Sequence, residues 1–224
     1  MPKHLQNDLE HLHRALLRLA GYVEDAVITA TTALRLRDPE PAQTVIDGDN
    51  EIDSLENEVQ DECLKILALH QPVAVDLRRI SVVLMITTDL ERIGDLAVGI
   101  AERAVVLAQP PFVPIPDRIE IMTNRTLRML RTSLDAFVNG DPSSAARVIR
   151  ADDEVDRDND DIIRELVAEM KHSPELVEPA LSLFTAVRHL ERIADHATNI
   201  AEDVIFWVRG ADVRHGAGQS FAGG

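Results

Sequence analysis

The segment Leu90-Glu91-Arg92-Ile93-Gly94-Asp95 is written a second time, 100 residues further on, as Leu190-Glu191-Arg192-Ile193-Ala194-Asp195. The match continues through Ile100-Ala101-Glu102 and Ile200-Ala201-Glu202. Upstream, Asp49-Asn50-Glu51-Ile52-Asp53 is matched by Asp152-Asp153-Glu154-Val155-Asp156 at an offset of 103 residues. Val45-Ile46 and Val148-Ile149 keep that register, as do the breaker pairs Asp38-Pro39 and Asp141-Pro142. Two matched segments in the same order, each behind its own breaker, define an internal repeat, and a repeat constrains the fold before any other signal. The halves are expected at residues 1–108 and 114–210, with a linker at 109–113 and a Gly-rich, disordered tail at 211–224.

Breakers divide each half into three. Asp38-Pro39-Glu40-Pro41 and Gln71-Pro72 cut the first half; Gly140-Asp141-Pro142 and Ser173-Pro174 cut the second. Proline lacks the backbone donor and biases its predecessor away from helix, so these are helix ends. The run Gln109-Pro110-Pro111-Phe112-Val113-Pro114-Ile115-Pro116 separates the halves. Between breakers the apolar residues recur at helical spacing. Ile52, Leu55, Val59, Cys63 and Ile66 form one stripe; Leu90, Ile93, Gly94, Ala97, Ile100, Ala101 and Ala104 form another. Three helices burying such stripes against one another make a three-helix bundle. The expected fold is all-α, two tandem three-helix bundles related by an internal pseudo-twofold repeat.

Composition agrees. Apolar residues are 45% of the 224 and aromatics only 3%, so the core rests on Leu, Ile, Val and Ala. The formal charge is −16, from 39 acidic and 23 basic side chains. That balance disfavours nucleic acid, whose phosphates need clustered Lys and Arg, and an anionic membrane surface. It suits a basic protein partner or a bound cation. Cys63 is the only cysteine, which excludes an intrachain disulfide and a Cys-rich zinc site. Met1 to Arg14 is polar and no apolar run approaches the roughly 20 residues of a membrane span, so a soluble, cytoplasmic protein is expected.

Each half carries two acid-x-x-x-Asp pairs: Asp49/Asp53 and Glu91/Asp95, then Asp152/Asp156 and Glu191/Asp195. Residues i and i+4 share a helix face. Glu91, Asp95 and Glu102 fall within about 40° of one another on the helical wheel, beside the apolar stripe rather than opposite it. Two adjoining helices can therefore collect four carboxylates per half, a cluster that calls for cations. All-carboxylate ligation suits Fe, Mn, Mg or Ca. On spacing alone a solvated acidic face is an equal alternative, because each like-charge pair costs only about 0.2–0.5 kcal/mol.

The two Leu-Glu-Arg-Ile-(Gly/Ala)-Asp segments, each followed by Ile-Ala-Glu, together with the upstream Asp-x-x-Ile-Asp and Asp-x-x-Val-Asp segments, resemble the signature segments of the PhoU family. The resemblance implies multinuclear metal clusters held by Asp49, Asp53, Glu91 and Asp95 in one half and Asp152, Asp156, Glu191 and Asp195 in the other, the metal being Fe, Mn, Mg, Ca or Zn. It implies a non-enzymatic regulator that restrains phosphate uptake and phosphate-starvation signalling. The implied partners are the phosphate transporter's ATPase subunit (PstB-like), a phosphate-sensing histidine kinase (PhoR-like) and a second copy of the chain in a homodimer.

The sequence departs from strict repetition at two places. Asp89 stands opposite His189, and Gly99 opposite Asn199, so with His196 nearby the second site is expected to tolerate softer metals. Two rival readings compete. A helical-bundle metal-carboxylate enzyme would use paired Glu-x-x-His segments, and only Glu10-His11-Leu12-His13 provides one. The other rival is a metal-free helical scaffold. Cys63 is expected to be buried, Phe206 and Trp207 to cap the core, and the run from Asp152 to Asp161 to be a solvated face or a richer cation site.

Overall fold

The computed structural model describes residues 3–210; the tail expected to be disordered lies outside them. Among the described residues there are seven α-helices and one short 3-10 turn, and no strand. The first half holds α1 (Lys3–Leu36), α2 (Pro39–Asp47), α3 (Asp49–His70) and α4 (Ala74–Leu107). The second holds α5 (Arg118–Asn139), α6 (Pro142–His172) and α7 (Val177–Arg209), with the 3-10 turn Pro174–Leu176 before α7. Each half is a three-helix bundle: α1, the α2–α3 rod and α4, then α5, α6 and α7.

The repeated Asp-Pro pairs start helices. Asp38 caps α2, its carboxylate accepting from the Glu40 N–H at 3.1 Å; Asp141 caps α6, accepting from the Ser143 N–H at 2.9 Å. Proline then fills the first helical position, where no donor is missed. α1 and α5 end alike, on a residue with positive φ: Arg37 and Gly140. One break has no counterpart. Gly48 interrupts the rod between α2 and α3, whereas Ala151 at the same repeat position leaves α6 continuous. Glycine is the poorer helix former by about 1 kcal/mol, which lowers the cost of a break at that position.

Both expected stripes are buried in full. They join one continuous core that crosses from half to half, because α4 packs along α7 and α1 touches α5. Fully burying one of these Leu, Ile or Val side chains contributes about 1.5–3 kcal/mol. Cys63 is buried in that core and burial pushes its thiol up to about 12, so it packs as a small apolar residue. Trp207 packs against Phe137 with the rings tilted at 45° and 5.4 Å between their centres, closing the end of the second bundle. The Pro-rich connection is tied down by Arg37, which donates to the Val113 carbonyl and lies over the Phe112 ring. No described helix is long and apolar enough to cross a membrane.

Candidate metal centres

The eight carboxylates fall into two groups, one on the α3–α4 flank and one on the α6–α7 flank. Burial repeats within them. The first member of every pair, Asp49, Glu91, Asp152 and Glu191, is partly buried; the second, Asp53, Asp95, Asp156 and Asp195, is exposed. This follows from the position of each pair beside its apolar stripe. Ile52 and Ile93, buried within the two stripes of the first half, set the helices side by side. Gly94 lets them close: a Cβ there would stand 3.1 Å from Cδ1 of Ile52. At the matching positions the second half has Val155 and Ala194, both buried. One methyl group has moved across the interface while the volume is kept, the kind of exchange cores tolerate best.

The two helices of each half bring their carboxylates within electrostatic reach. Asp49 is pushed above the usual carboxylate range by burial, then by the charges of Asp53 on its own helix and Asp95 on the neighbour. Glu91 is raised by burial, then by Asp95, with Glu56 and Asp53 adding from α3. In the second half Asp152 is pushed up to about 6 by burial and by Asp195, Asp156, Glu191 and Asp153. Burial and the Asp195 and Asp156 charges raise Glu191; burial and Asp156 raise Asp195. Desolvation and like charge both disfavour the ionised form, and a cation would reverse both.

Arginines supply part of that neutralisation. Arg92 pairs with Glu91 at 3.3 Å and with Asp95 at 3.1 Å. In the second half Arg188, not Arg192, donates to Glu191 Oε1 at 2.9 Å. Oε2 of Glu191 is buried and accepts no hydrogen bond. A buried, unpartnered carboxylate oxygen beside three further carboxylates is the donor chemistry a hard cation takes. The set therefore fits such an ion in kind. It is not closed around a point: among the described residues no three His, Cys, Asp or Glu side chains are gathered as a metal shell. Closing it requires side-chain rotation, which the exposed Asp53, Asp95, Asp156 and Asp195 are free to make.

Glu56 belongs to the first group although sequence reading passed it over. Burial raises it first, then Asp53. It lies on the face of Asp49 and Asp53, one turn on, so the i, i+4, i+7 spacing carried the signal. Asn159 holds its place in the second half, buried and neutral.

The histidines have another task. Asp89 accepts from His196 Nδ1 at 2.8 Å and from Asn199 Nδ2 at 3.3 Å, while His189 packs on Gly99, where a Cβ would stand 2.8 Å from its Nε2. The departures from repetition thus complement each other across the α4–α7 contact, and they do not enrich the second site with imidazole ligands. The acidic run of α6 is likewise divided. Asp158 is buried and held by Arg118 and Arg125, so it is not available to a cation.

Two tandem carboxylate-bearing three-helix bundles define a class of helical scaffold. The sequence profile of the PhoU domain matches this chain twice, over residues 16–104 and 119–204. The chain belongs to the PhoU family. It is 41% identical over 210 residues to the phosphate-specific transport system accessory protein PhoU homolog of Pseudomonas putida, covering 93% of this chain and 82% of that protein. It is 33% identical over 211 residues to the phosphate-specific transport system accessory protein PhoU of Escherichia coli K12, covering 94% and 88%. The crystal structure of PhoU from Pseudomonas aeruginosa superposes with a TM-score of 0.88 at 39% identity, over 92% of this chain and 99% of that one. That of the phosphate transport system regulatory protein PhoU from Streptococcus pneumoniae gives 0.87 at 28% identity, over 93% and 99%.

Proposed function

We propose that this chain is an accessory protein of phosphate transport that restrains phosphate uptake and starvation signalling from the cytoplasmic side, by contacting the transporter ATPase and a phosphate-sensing histidine kinase. The names of its relatives, accessory and regulatory proteins of phosphate transport, support this reading. The net charge of −16 suits docking on basic protein surfaces. The carboxylate groups hold divalent cations: Asp49, Asp53, Glu91 and Asp95 in one, Asp152, Asp156, Glu191 and Asp195 in the other. The observation that carries the cation reading is the buried, unpartnered Oε2 of Glu191 beside the raised Asp152. A bound ion would neutralise the acidic flank and stiffen α6 against α7, and a homodimer would present two such flanks to a partner.

The test is capture of the ATPase and kinase by the purified chain, with Mn2+ and with chelator. Binding to both partners, weakened by chelator, is the expected result; binding to neither removes the regulatory reading. Asp95→Asn combined with Asp195→Asn lowers bound metal with helix content unchanged. A metal-free scaffold is the second reading, favoured by the arginines already paired to Glu91 and Glu191. Partner capture indifferent to chelator would select it.

A further inference from the structure

The second bundle carries a basic groove that the first lacks. It lies between α5 and α6, with a volume of about 270 Å³. Arg125, Arg128 and Thr132 line it from α5; Arg147 and Glu154 line it from α6. Met129 and Val148, both buried, form its floor. Arg125 is already paired with Glu154 and the buried Asp158, so Arg128 and Arg147 supply the positive field, on a chain whose overall charge is −16.

The three arginines are not equivalent. Arg125 is fixed: it pairs with Glu154 at 3.2 Å and with the buried Asp158, which Arg118 holds from its other oxygen at 3.2 Å. A buried carboxylate is costly unless fully paired, and here its pairing locks the Arg125 fork in place beside the groove. Arg128 and Arg147 are exposed, and neither enters an ion pair among the described residues; Arg147 donates to Ser144 Oγ at 2.7 Å. At the matching repeat positions the first half has Tyr22, Asp25 and Thr44 in place of the three arginines, and Leu55 in place of Asp158. The anchoring carboxylate and the cations it serves are absent together from that half, as parts of one device are.

The ligand follows from the donor set. Guanidinium forks suit phosphoryl and carboxylate oxygens. The volume lies just below the range of pockets for drug-sized ligands, so the groove suits a small ion. Glu154 adds an acceptor at the rim, which repels an anion unless that anion carries a proton to donate. Inorganic phosphate keeps at least one proton near neutral pH; sulfate keeps none, and a phosphomonoester, with its second pKa at about 6, is largely stripped. We propose that the α5–α6 groove binds inorganic hydrogen phosphate, with Arg125 as the fixed donor, Arg128 and Arg147 as cations that close on the ion, and Glu154 accepting its proton. The groove shares no residue with the carboxylate groups of the α3–α4 and α6–α7 flanks, so phosphate binding there stands or falls apart from the regulatory reading.

The test is equilibrium dialysis of the full chain against radiolabelled inorganic phosphate in the presence of chelator, which removes any phosphate held through a metal. Saturable binding is expected. Arg128→Gln with Arg147→Gln should weaken it at least tenfold, while Arg150→Gln, an exposed α6 arginine outside the groove, leaves it unchanged. Sulfate and glycerol phosphate should compete at least tenfold less well than phosphate, and Glu154→Gln should narrow that preference. Far-ultraviolet circular dichroism checks that the variants keep their helices, as their exposed positions predict. No saturable phosphate binding, or binding that survives the double substitution, overturns the proposal. So does sulfate competing as well as phosphate, or capture of poly-glutamate without phosphate, which would assign the groove to an acidic protein segment.

Discussion

Asp49 opens helix α3, whereas Asp152, its repeat counterpart, lies in the middle of α6. The rod parts at Gly48 in the first half and continues through Ala151 in the second. Asp152 is the more deeply buried and meets the charges of Asp195, Asp156, Glu191 and Asp153, whereas Asp49 meets those of Asp53 and Asp95. Both aspartates are raised, but only Asp152 reaches about 6. Neutralisation differs too. Arg92 spans both Glu91 and Asp95, while Arg188 serves one oxygen of Glu191 and leaves the other bare. Two sites descended from one pattern have therefore diverged in electrostatic stress, and the second has more to gain from a cation.

The largest effect that can break this comparison is in metal affinity. Glu191→Gln with Asp195→Asn should weaken Mn2+ binding on the order of 100-fold or more at the tighter of two sites, since even outer-shell partners are worth 10–100-fold. Glu91→Gln with Asp95→Asn should remove only the weaker site. Titration calorimetry on each double variant reads the difference, and equal losses from both would end the claim of divergence.

A smaller effect sharpens it through stability. The folded chain keeps a proton on Asp152 up to about pH 6, while the unfolded chain loses it near the ordinary aspartate value of 3.8. The folded form thus binds more protons across that window, so this group's contribution falls as pH rises through it and the full penalty stands at pH 7.5. The whole shift corresponds to about 3 kcal/mol; screening at this half-buried position reduces it to about 1–2 kcal/mol. Asp152→Asn should therefore stabilise chelated protein by that amount at pH 7.5 and by less at pH 5, with Asp49→Asn giving the smaller gain. Urea unfolding at the two pH values measures it. Saturating Mn2+ should reverse the sign, because the variant forfeits binding that stabilises the native state.

The smallest effect concerns the packing that brings the carboxylates together. A methyl group sits on Ile52 in the first half and on Ala194 in the second, opposite Gly94 and Val155. Ile52→Val should cost about 1 kcal/mol in the native chain and less in Gly94→Ala, where it relieves the 3.1 Å approach. A double-mutant cycle should return a coupling of about 1 kcal/mol; additivity would show that the two halves solved this contact independently.

Much of the architecture was legible from residue pattern. Helical spacing put Ile52, Leu55, Val59, Cys63 and Ile66 on a buried stripe, and Asp-Pro pairs marked helix starts, because local periodicity and backbone chemistry are properties of neighbours in the chain. The i, i+4 carboxylates were legible for the same reason. The break at Gly48 was not, since one glycine in a helix costs only about 1 kcal/mol and packing decides whether the rod parts.

The repeat, the two three-helix bundles and the four acidic pairs were determined by the sequence alone. Only the tertiary structure decided that Asp89 meets His196 and Asn199, and that Arg147 shares a groove with Arg125 and Arg128. These partners stand on different helices, up to 110 residues apart in the chain. What brings them together is the register in which whole helices bury their stripes, and no window of neighbouring residues encodes that register.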